Sequence, residues 1–307
     1  MKRPNFYIVG APKCGTTALH HYLSEHPQAF MSVPKEPMYW TFDFPTARQG
    51  TFVPMESEAD YLSLFADARS EHRVVGEAST FYLYSTEAIP RILNACPDAR
   101  FVACVRNPIN LIPSFHAQLL FSFAEDEPDF MRAWELQEER SDGCRIPRGC
   151  RTPEILQYRR LGRLGEQVER LIRTVPAKQR QIVVHDDFVN SPQDTYQQIL
   201  RFLDLDDDHR TDFRRVNTAK RHRFPTVSRL VRKPPAFLHR PMRALRRWAG
   251  PRGWAPARTA KRLLQKKRSH HPVSKHVRQM LAEEFRDDIR LLGDLLNRNL
   301  DDWPNDV

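Results

Sequence analysis
The sequence predicts an α/β fold with a central parallel sheet flanked by helices. Short apolar runs alternate with longer helical stretches, which is the pattern of strands covered on both faces. Each run stops at a sharp turn rather than fading into a loop. Charged or hydroxyl side chains (Lys13, Glu77, Ser79 and Arg106) stand just after the runs, where ligands bind in such sheets. A length of 307 residues with 40% hydrophobic content fits a single domain over residues 1–307.

The elements follow in order. Phe6-Tyr7-Ile8-Val9 reads as a buried strand, ended by Gly10-Ala11-Pro12. A helix starts at Thr16 or Thr17 and runs to Leu23, with His26-Pro27 stopping it. Val74-Val75 is a second strand opening onto Gly76-Glu77-Ala78-Ser79, and a helix covers Thr86 to Ala95. Phe101 to Val105 is a third strand, followed by Arg106-Asn107-Pro108 and a helix to about Phe123. A helix over Gly162 to Thr174 precedes a fourth strand, Gln181 to His185. Ser191-Pro192 opens a helix ending near Leu205. A final helix is predicted from about Ser274 to Asn297, with Leu291, Leu292, Leu295 and Leu296 on an apolar stripe.

Charge divides the chain unevenly. The net charge is +10, yet residues 213–282 hold 21 Lys/Arg and no Asp or Glu, leaving 27 basic against 38 acidic residues elsewhere. The basic segment, about 220–272, carries seven prolines and is expected to form a mainly helical insertion of short helices. Met242, Leu245 and Trp248 recur at three-residue spacing between arginines, and Ala260 to Arg268 is similar. Such helices pack on the domain with solvated arginines, lie on an anionic membrane surface, or grip an anionic glycan. Nucleic acid is not expected, because no recognised module accompanies the charge.

No run of about 18 apolar residues predicts a membrane span, and no signal-peptide pattern is legible, so a cytoplasmic location is expected, with a peripheral site at the inner membrane face as an option. Five cysteines do not suggest a disulfide framework; Cys144 and Cys150 flank a short loop and either pair or stay free. No Cys/His set has zinc spacing, and no metal requirement is expected.

Gly10 and Gly15, with four residues between them and followed by Thr16-Thr17, outline a P-loop-type turn. Such a turn aims successive backbone N–H groups at an anion, at a helix N-terminus that favours negative charge. The usual lysine after the second glycine is replaced here by Thr16, and the lysine stands in mid-loop at Lys13. That displacement suits a short 5′-phosphosulfate and disfavours a kinase acting on ATP, which stays the rival reading.

Pro12-Lys13-Cys14-Gly15-Thr16-Thr17-Ala18-Leu19 resembles the 5′-phosphosulfate loop of sulfotransferases that use 3′-phosphoadenosine 5′-phosphosulfate (PAPS) and release the bisphosphate PAP. Phe101 to Pro108, with Ser114 eight residues after Arg106, resembles their 3′-phosphate motif. Lys35-Glu36-Pro37-Met38-Tyr39-Trp40, Phe202-Leu203-Asp204-Leu205 and the ending Leu292 to Trp303 are similar to bacterial members. The resemblance implies donor contacts from Lys13, Cys14, Gly15, Thr16, Thr17 and Ala18, with Arg106 and Ser114 on the 3′-phosphate. Lys220 and Arg221 fall where the family closes over the nucleotide.

It also implies sulfuryl transfer to a hydroxyl or amine of a small-molecule, glycan or glycolipid acceptor; a secondary-metabolite hydroxyl is the alternative. Glu36 aligns with the catalytic glutamate of carbohydrate-acting members and is expected to be the general base, with Lys13 on the leaving phosphate. Lys35 is expected to contact donor or acceptor. Gly76-Glu77-Ala78-Ser79-Thr80-Phe81-Tyr82 falls where heparan-type enzymes carry Glu-Lys-Thr-Pro-x-Tyr-Phe, with their lysine replaced by Ala78. Glu77 and Ser79 either face the acceptor or serve as structural hydrogen-bond partners. His116 either lines the cleft or packs in the core.

Overall fold
The computed structural model describes residues 2–44, 57–214, 220–222, 265–267 and 273–303. Five parallel strands form its sheet: β1 (Phe6–Gly10), β2 (Ala29–Met31), β3 (Val74–Ala78), β4 (Arg100–Val105) and β5 (Arg180–Val184), in the order β2-β3-β1-β4-β5. Strands β1, β3 and β4 are buried almost throughout, as expected for strands covered on both faces. Tyr7 pairs with Glu77 on one side and Phe101 on the other, which fixes the register at the centre of the sheet.

Four of the strands lie where the sequence predicts them. Strand β2 was not legible, because three residues, Ala29-Phe30-Met31, give no periodicity of their own. The edge of β3 defines it, through the pairs Ala29 to Val74 and Met31 to Gly76.

The flanking helices are α1 (Thr16–Ser24), α2 (Glu58–Ser63), α3 (Ala88–Ala95), α4 (Pro108–Ser122), α5 (Phe130–Glu135), α6 (Gln137–Ser141), α7 (Tyr158–Gly162), α8 (Leu164–Thr174), α9 (His185–Asn190) and α10 (Pro192–Phe202). Asn107 caps α4: its side-chain oxygen accepts from the Ile109 N–H at 3.0 Å, with Pro108 pre-set at the first helical position. The predicted final helix is two helices, α11 (Lys275–Glu284) and α12 (Arg286–Leu296). Phe285 breaks the run and is fully buried against Gly162, where an added Cβ would sit only 2.3 Å from its ring.

Helix α12 packs along α8. Asp288 supplies the cap that α8 lacks locally, accepting from the Gly165 and Glu166 N–H groups at 2.8 and 3.0 Å. Burial raises the Asp288 carboxyl above its usual range, partly offset by those two bonds.

Between α4 and α7 the chain is pinned by a buried ion pair. Glu125 and Arg140 are 0% and 1% exposed and meet in a bidentate contact, both bonds 2.7 Å, while the Tyr158 hydroxyl donates to Glu125 at 2.6 Å. Burial raises the Glu125 carboxyl, but the Arg140 and Tyr158 bonds outweigh it and hold the group below its usual value.

Within the basic segment, the described residues form β6 (Lys220–His222) and β7 (Gln265–Lys267), an antiparallel pair. The expected short helices between them lie outside the described residues. No disulfide joins the five cysteines, all of which lie among the described residues. Among the described residues, no helix is long and apolar enough to cross a membrane.

Candidate active site
The carboxyl ends of the strands meet at one edge of the sheet, and each delivers a piece of the site. Strand β1 leads into Lys13 and the turn to α1. The segment after β2 carries Lys35 and Glu36, β3 ends beside Ser79, β4 leads to Arg106, and β5 leads to His185.

The turn after β1 is built for an anion. Gly15 caps α1 with φ +90°, and an added Cβ there would meet the Phe188 ring at 3.0 Å, so glycine is required for both conformation and space. Ala18 and Leu19 are the first residues whose N–H groups bond back into the turn, both to the Gly15 carbonyl. The first turn of α1 holds no acidic residue, and its N-cap offers no side-chain acceptor. The Ala11 N–H is used on the Cys104 carbonyl and Pro12 has none, so the N–H groups of residues 13–17 and the positive helix end are those open to a phosphate or sulfate.

Lys13 is half-buried with φ +67°, a conformation costly for a side chain larger than glycine. Burial lowers its pKa, and the nearby Arg106 charge lowers it further. Arg106 donates to the Lys13 carbonyl at 3.2 Å. This contact joins the two stretches expected to bind phosphate, 93 residues apart in sequence. Cys14 is fully buried, its thiol bonded to the Pro12 carbonyl at 3.4 Å, so the residue offers the site only its backbone. The Thr16 side chain is buried, while Thr17 and Ala18 are half-buried. Ser114 is half-buried two turns into α4.

Lys35 and Glu36 reach this turn by crossing the end of β3. The Glu36 N–H bonds to the Ala78 carbonyl at 3.0 Å, which carries the chain over the strand. The Lys35 ammonium then lies 3.4 Å from the Thr16 hydroxyl and 2.9 Å from Glu36 Oε1. The Thr80 hydroxyl donates to the same carboxylate oxygen at 3.4 Å. Glu36, at φ +62° and with its side chain 42% exposed, holds a carboxylate at the rim of the phosphate turn.

Glu77 and Ser79 are 0% exposed and turn inward rather than toward an acceptor. Tyr61 and Tyr82 donate to Glu77 Oε1 at 2.7 and 2.9 Å, and Ser79 donates to Oε2 at 2.6 Å. Burial raises the Glu77 carboxyl to about 7 despite these three bonds, which pull it down. Both side chains thus make hydrogen bonds within the fold. His116 likewise packs in the core, 4% exposed, bonded to the Glu127 carbonyl at 2.9 Å and edge-on to Phe130 and Tyr158.

His20, Tyr61 and Asp186 were not among the predicted site residues. His20 bonds the Ser32 carbonyl at 3.2 Å, and burial followed by the Lys35 charge lowers its pKa to about 4, so it is neutral at pH 7 and braces the approach to Lys35. Tyr61 follows a stretch of no clear pattern, and nothing local marks it. Asp186 follows β5 in the first turn of α9; its carboxyl is held low by His185 first, with Arg106 contributing. A cavity of about 370 Å³ opens beside it, between α9 and the closing turn around Arg298, Leu300 and Trp303. The side chains of Lys220 and Arg221 lie outside what is described; their backbone strand β6 runs near α4. Among the described residues, no group of three or more His, Cys, Asp or Glu is arranged to hold a metal ion.

A glycine-bounded turn with its lysine in mid-loop, tied to a strand-end arginine, stands at the carboxyl edge of a parallel α/β sheet, where such folds bind their ligands. The sequence profile of the sulfotransferase family matches residues 47–209, just over half of the chain, and this chain belongs to that family. The matched span contains Glu77, Arg106 and Ser114, and begins after Lys13 and Glu36.

The chain is similar to human "Carbohydrate sulfotransferase 15", at 32% identity over 150 residues, covering 36% of this chain and 26% of that protein. It is also similar to the "Membrane-associated sulfotransferase kil1" of Dictyostelium discoideum, at 31% identity over 106 residues, 34% of this chain and 21% of that protein. The match thus spans about a quarter of the length of these relatives. A crystal structure of a sulfotransferase from Alicyclobacillus acidocaldarius superposes over 99% of both chains, with TM-score 0.72 and 23% identity, and so shares the fold.

Proposed function
We propose that the protein transfers a sulfuryl group from PAPS to a hydroxyl of a carbohydrate or glycolipid acceptor. The observation that carries this reading is the bond from Arg106 to the Lys13 carbonyl. It sets a second anion-binding side chain beside a phosphate turn whose lysine is in mid-loop. A donor with phosphate on both the 5′ and 3′ positions uses both features, whereas ATP uses one.

In this reading the turn from Lys13 to Ala18 holds the 5′-phosphosulfate by backbone N–H groups, and Arg106 with Ser114 takes the 3′-phosphate. Lys220 and Arg221 close over the nucleotide. Glu36 removes the acceptor proton as the acceptor oxygen bonds to sulfur. The bond from sulfur to the bridging oxygen breaks, and its electron pair stays on the phosphate of PAP. Lys13 and the helix end stabilise that charge. Lys35, between Thr16 and Glu36, orients donor and acceptor.

The carbohydrate acceptor is supported by the relative named a carbohydrate sulfotransferase and by the Lys35-Glu36-Pro37 segment. A cytoplasmic setting, with the basic segment against an anionic membrane surface or glycan, fits the 21 cationic residues of 213–282.

Calorimetry against PAP, adenosine 5′-monophosphate and ATP with Mg²⁺ tests the donor. PAP is expected to bind tightest. Arg106→Ala is expected to weaken PAP by roughly 10- to 100-fold, the loss of a charge-assisted phosphate contact, while leaving the monophosphate almost unchanged. Tight ATP–Mg²⁺ binding without PAP binding would overturn the reading in favour of a kinase. Incubation with ³⁵S-labelled PAPS and a panel of unsulfated oligosaccharides then identifies the acceptor.

A further inference from the structure
The segment carrying Glu36 has no regular structure, yet the site needs its carboxylate held to within a fraction of an ångström. Its backbone is fixed from below by a buried cluster. The Met38 N–H donates to the Ser79 hydroxyl at 3.1 Å, and the Trp40 N–H donates to the Tyr82 hydroxyl at 3.3 Å. The Trp40 indole N–H donates to the Tyr61 hydroxyl at 3.2 Å. Ser79, Tyr82 and Tyr61 each donate their own hydroxyl hydrogen bond to Glu77. One carboxylate thus orients three hydroxyls, and the three hydroxyls receive three N–H groups of the 38–40 segment.

Packing reinforces the arrangement. Tyr39 stacks on Tyr61 at 4.5 Å with the rings nearly parallel, and Trp40 stands edge-on to Tyr61 at 5.8 Å. Tyr61 belongs to α2, Glu77 to β3 and Tyr82 to the turn beyond it, so the cluster binds three separate elements to the segment bearing the base.

We infer that Glu77 is a positioning residue for sulfuryl transfer: through Ser79, Tyr82 and Tyr61 it fixes the segment that aims Glu36. The inference rests on the assignment of Glu36 as base. A glutamine at this position keeps the size but brings an amide NH₂ among hydroxyls that already hold protons. At least one hydroxyl must then turn away, and the 38–40 N–H groups lose aligned acceptors.

Turnover is read as PAP release from PAPS, with the oligosaccharide that accepts most label or, if none does, with water alone. Glu77→Gln is expected to lower kcat by about 10- to 100-fold, the scale of a misplacement near 1 Å, with PAP affinity within about twofold of wild type. In a Glu36→Gln background the same change is expected to cost less than about threefold, because a group that acts through Glu36 has nothing left to aim. Amide hydrogen exchange is expected to quicken across residues 36–41 and to stay unchanged across the phosphate turn.

Unchanged exchange over 36–41 overturns the inference, as does kcat within about threefold of wild type. So does a full multiplicative loss in the double variant, which would mean that Glu77 acts independently of Glu36. Should Glu77→Gln not fold, Tyr82→Phe removes the acceptor of the Trp40 N–H and is expected to lower kcat by about 3- to 10-fold and to quicken exchange at 38–41; no change in either measure overturns the inference. A Glu36→Gln variant that stays active instead sinks the base assignment, an outcome distinct from the others.

Discussion
Glu36→Gln is expected to bind PAP as the unaltered protein does and to lose about 10²–10⁴ in turnover, the usual scale for removing a general base. The amide is isosteric, so it can still accept from Lys35 and Thr80 through its oxygen, and the contacts at 2.9 and 3.4 Å need not open. What it cannot do is take a proton. The loss therefore falls on kcat, and calorimetry with PAP supplies the control. Turnover within a few-fold of normal would move the base to another group at the rim.

Arg140→Ala is expected to destabilise the fold by about 3–5 kcal/mol, because it leaves the Glu125 carboxylate buried with only Tyr158 and backbone N–H groups as donors. In thermal denaturation this corresponds to a fall in Tm on the order of 10 °C. The effect should depend on pH in a definite direction. In the unaltered protein the Glu125 carboxyl is held below its unfolded value, so its contribution is present above that value and is lost as pH falls through the lower folded value. In the variant, burial acts without the guanidinium and raises the same group, which then takes up a proton readily. The gap between the two proteins should therefore narrow below about pH 5. A gap that is small at pH 7, or that widens in acid, would show that the pair contributes little.

The two phosphate motifs were legible because each is local. A strand, a glycine-bounded turn and a helix start are contiguous in residues 6–17, and so are a strand, an arginine and a capped helix in residues 101–108. Backbone geometry alone makes the first a candidate anion site. Glu77 misleads for the opposite reason. A carboxylate at a strand end looks like a site residue, and whether it faces the cleft or the core depends on Tyr61 and Tyr82, which arrive from other elements. His116 is similar: its position on α4 is readable, but the rings of Phe130 and Tyr158 that enclose it are not.

The sequence by itself determined the parallel sheet, the glycine-bounded turn with Lys13 in mid-loop, and the strand-end Arg106, since short-range periodicity and turn chemistry suffice for each. Only the tertiary structure decided that these two motifs touch, that Glu36 stands beside them, and that Glu77 lies beneath. The reason is the three-residue strand β2, which has no pattern of its own and exists by pairing with β3. From that edge the chain crosses the end of β3 and brings Lys35 within 3.4 Å of Thr16. Hydrogen bonds between residues 19 to 93 positions apart hold this geometry, and their partners cannot be read from either stretch alone.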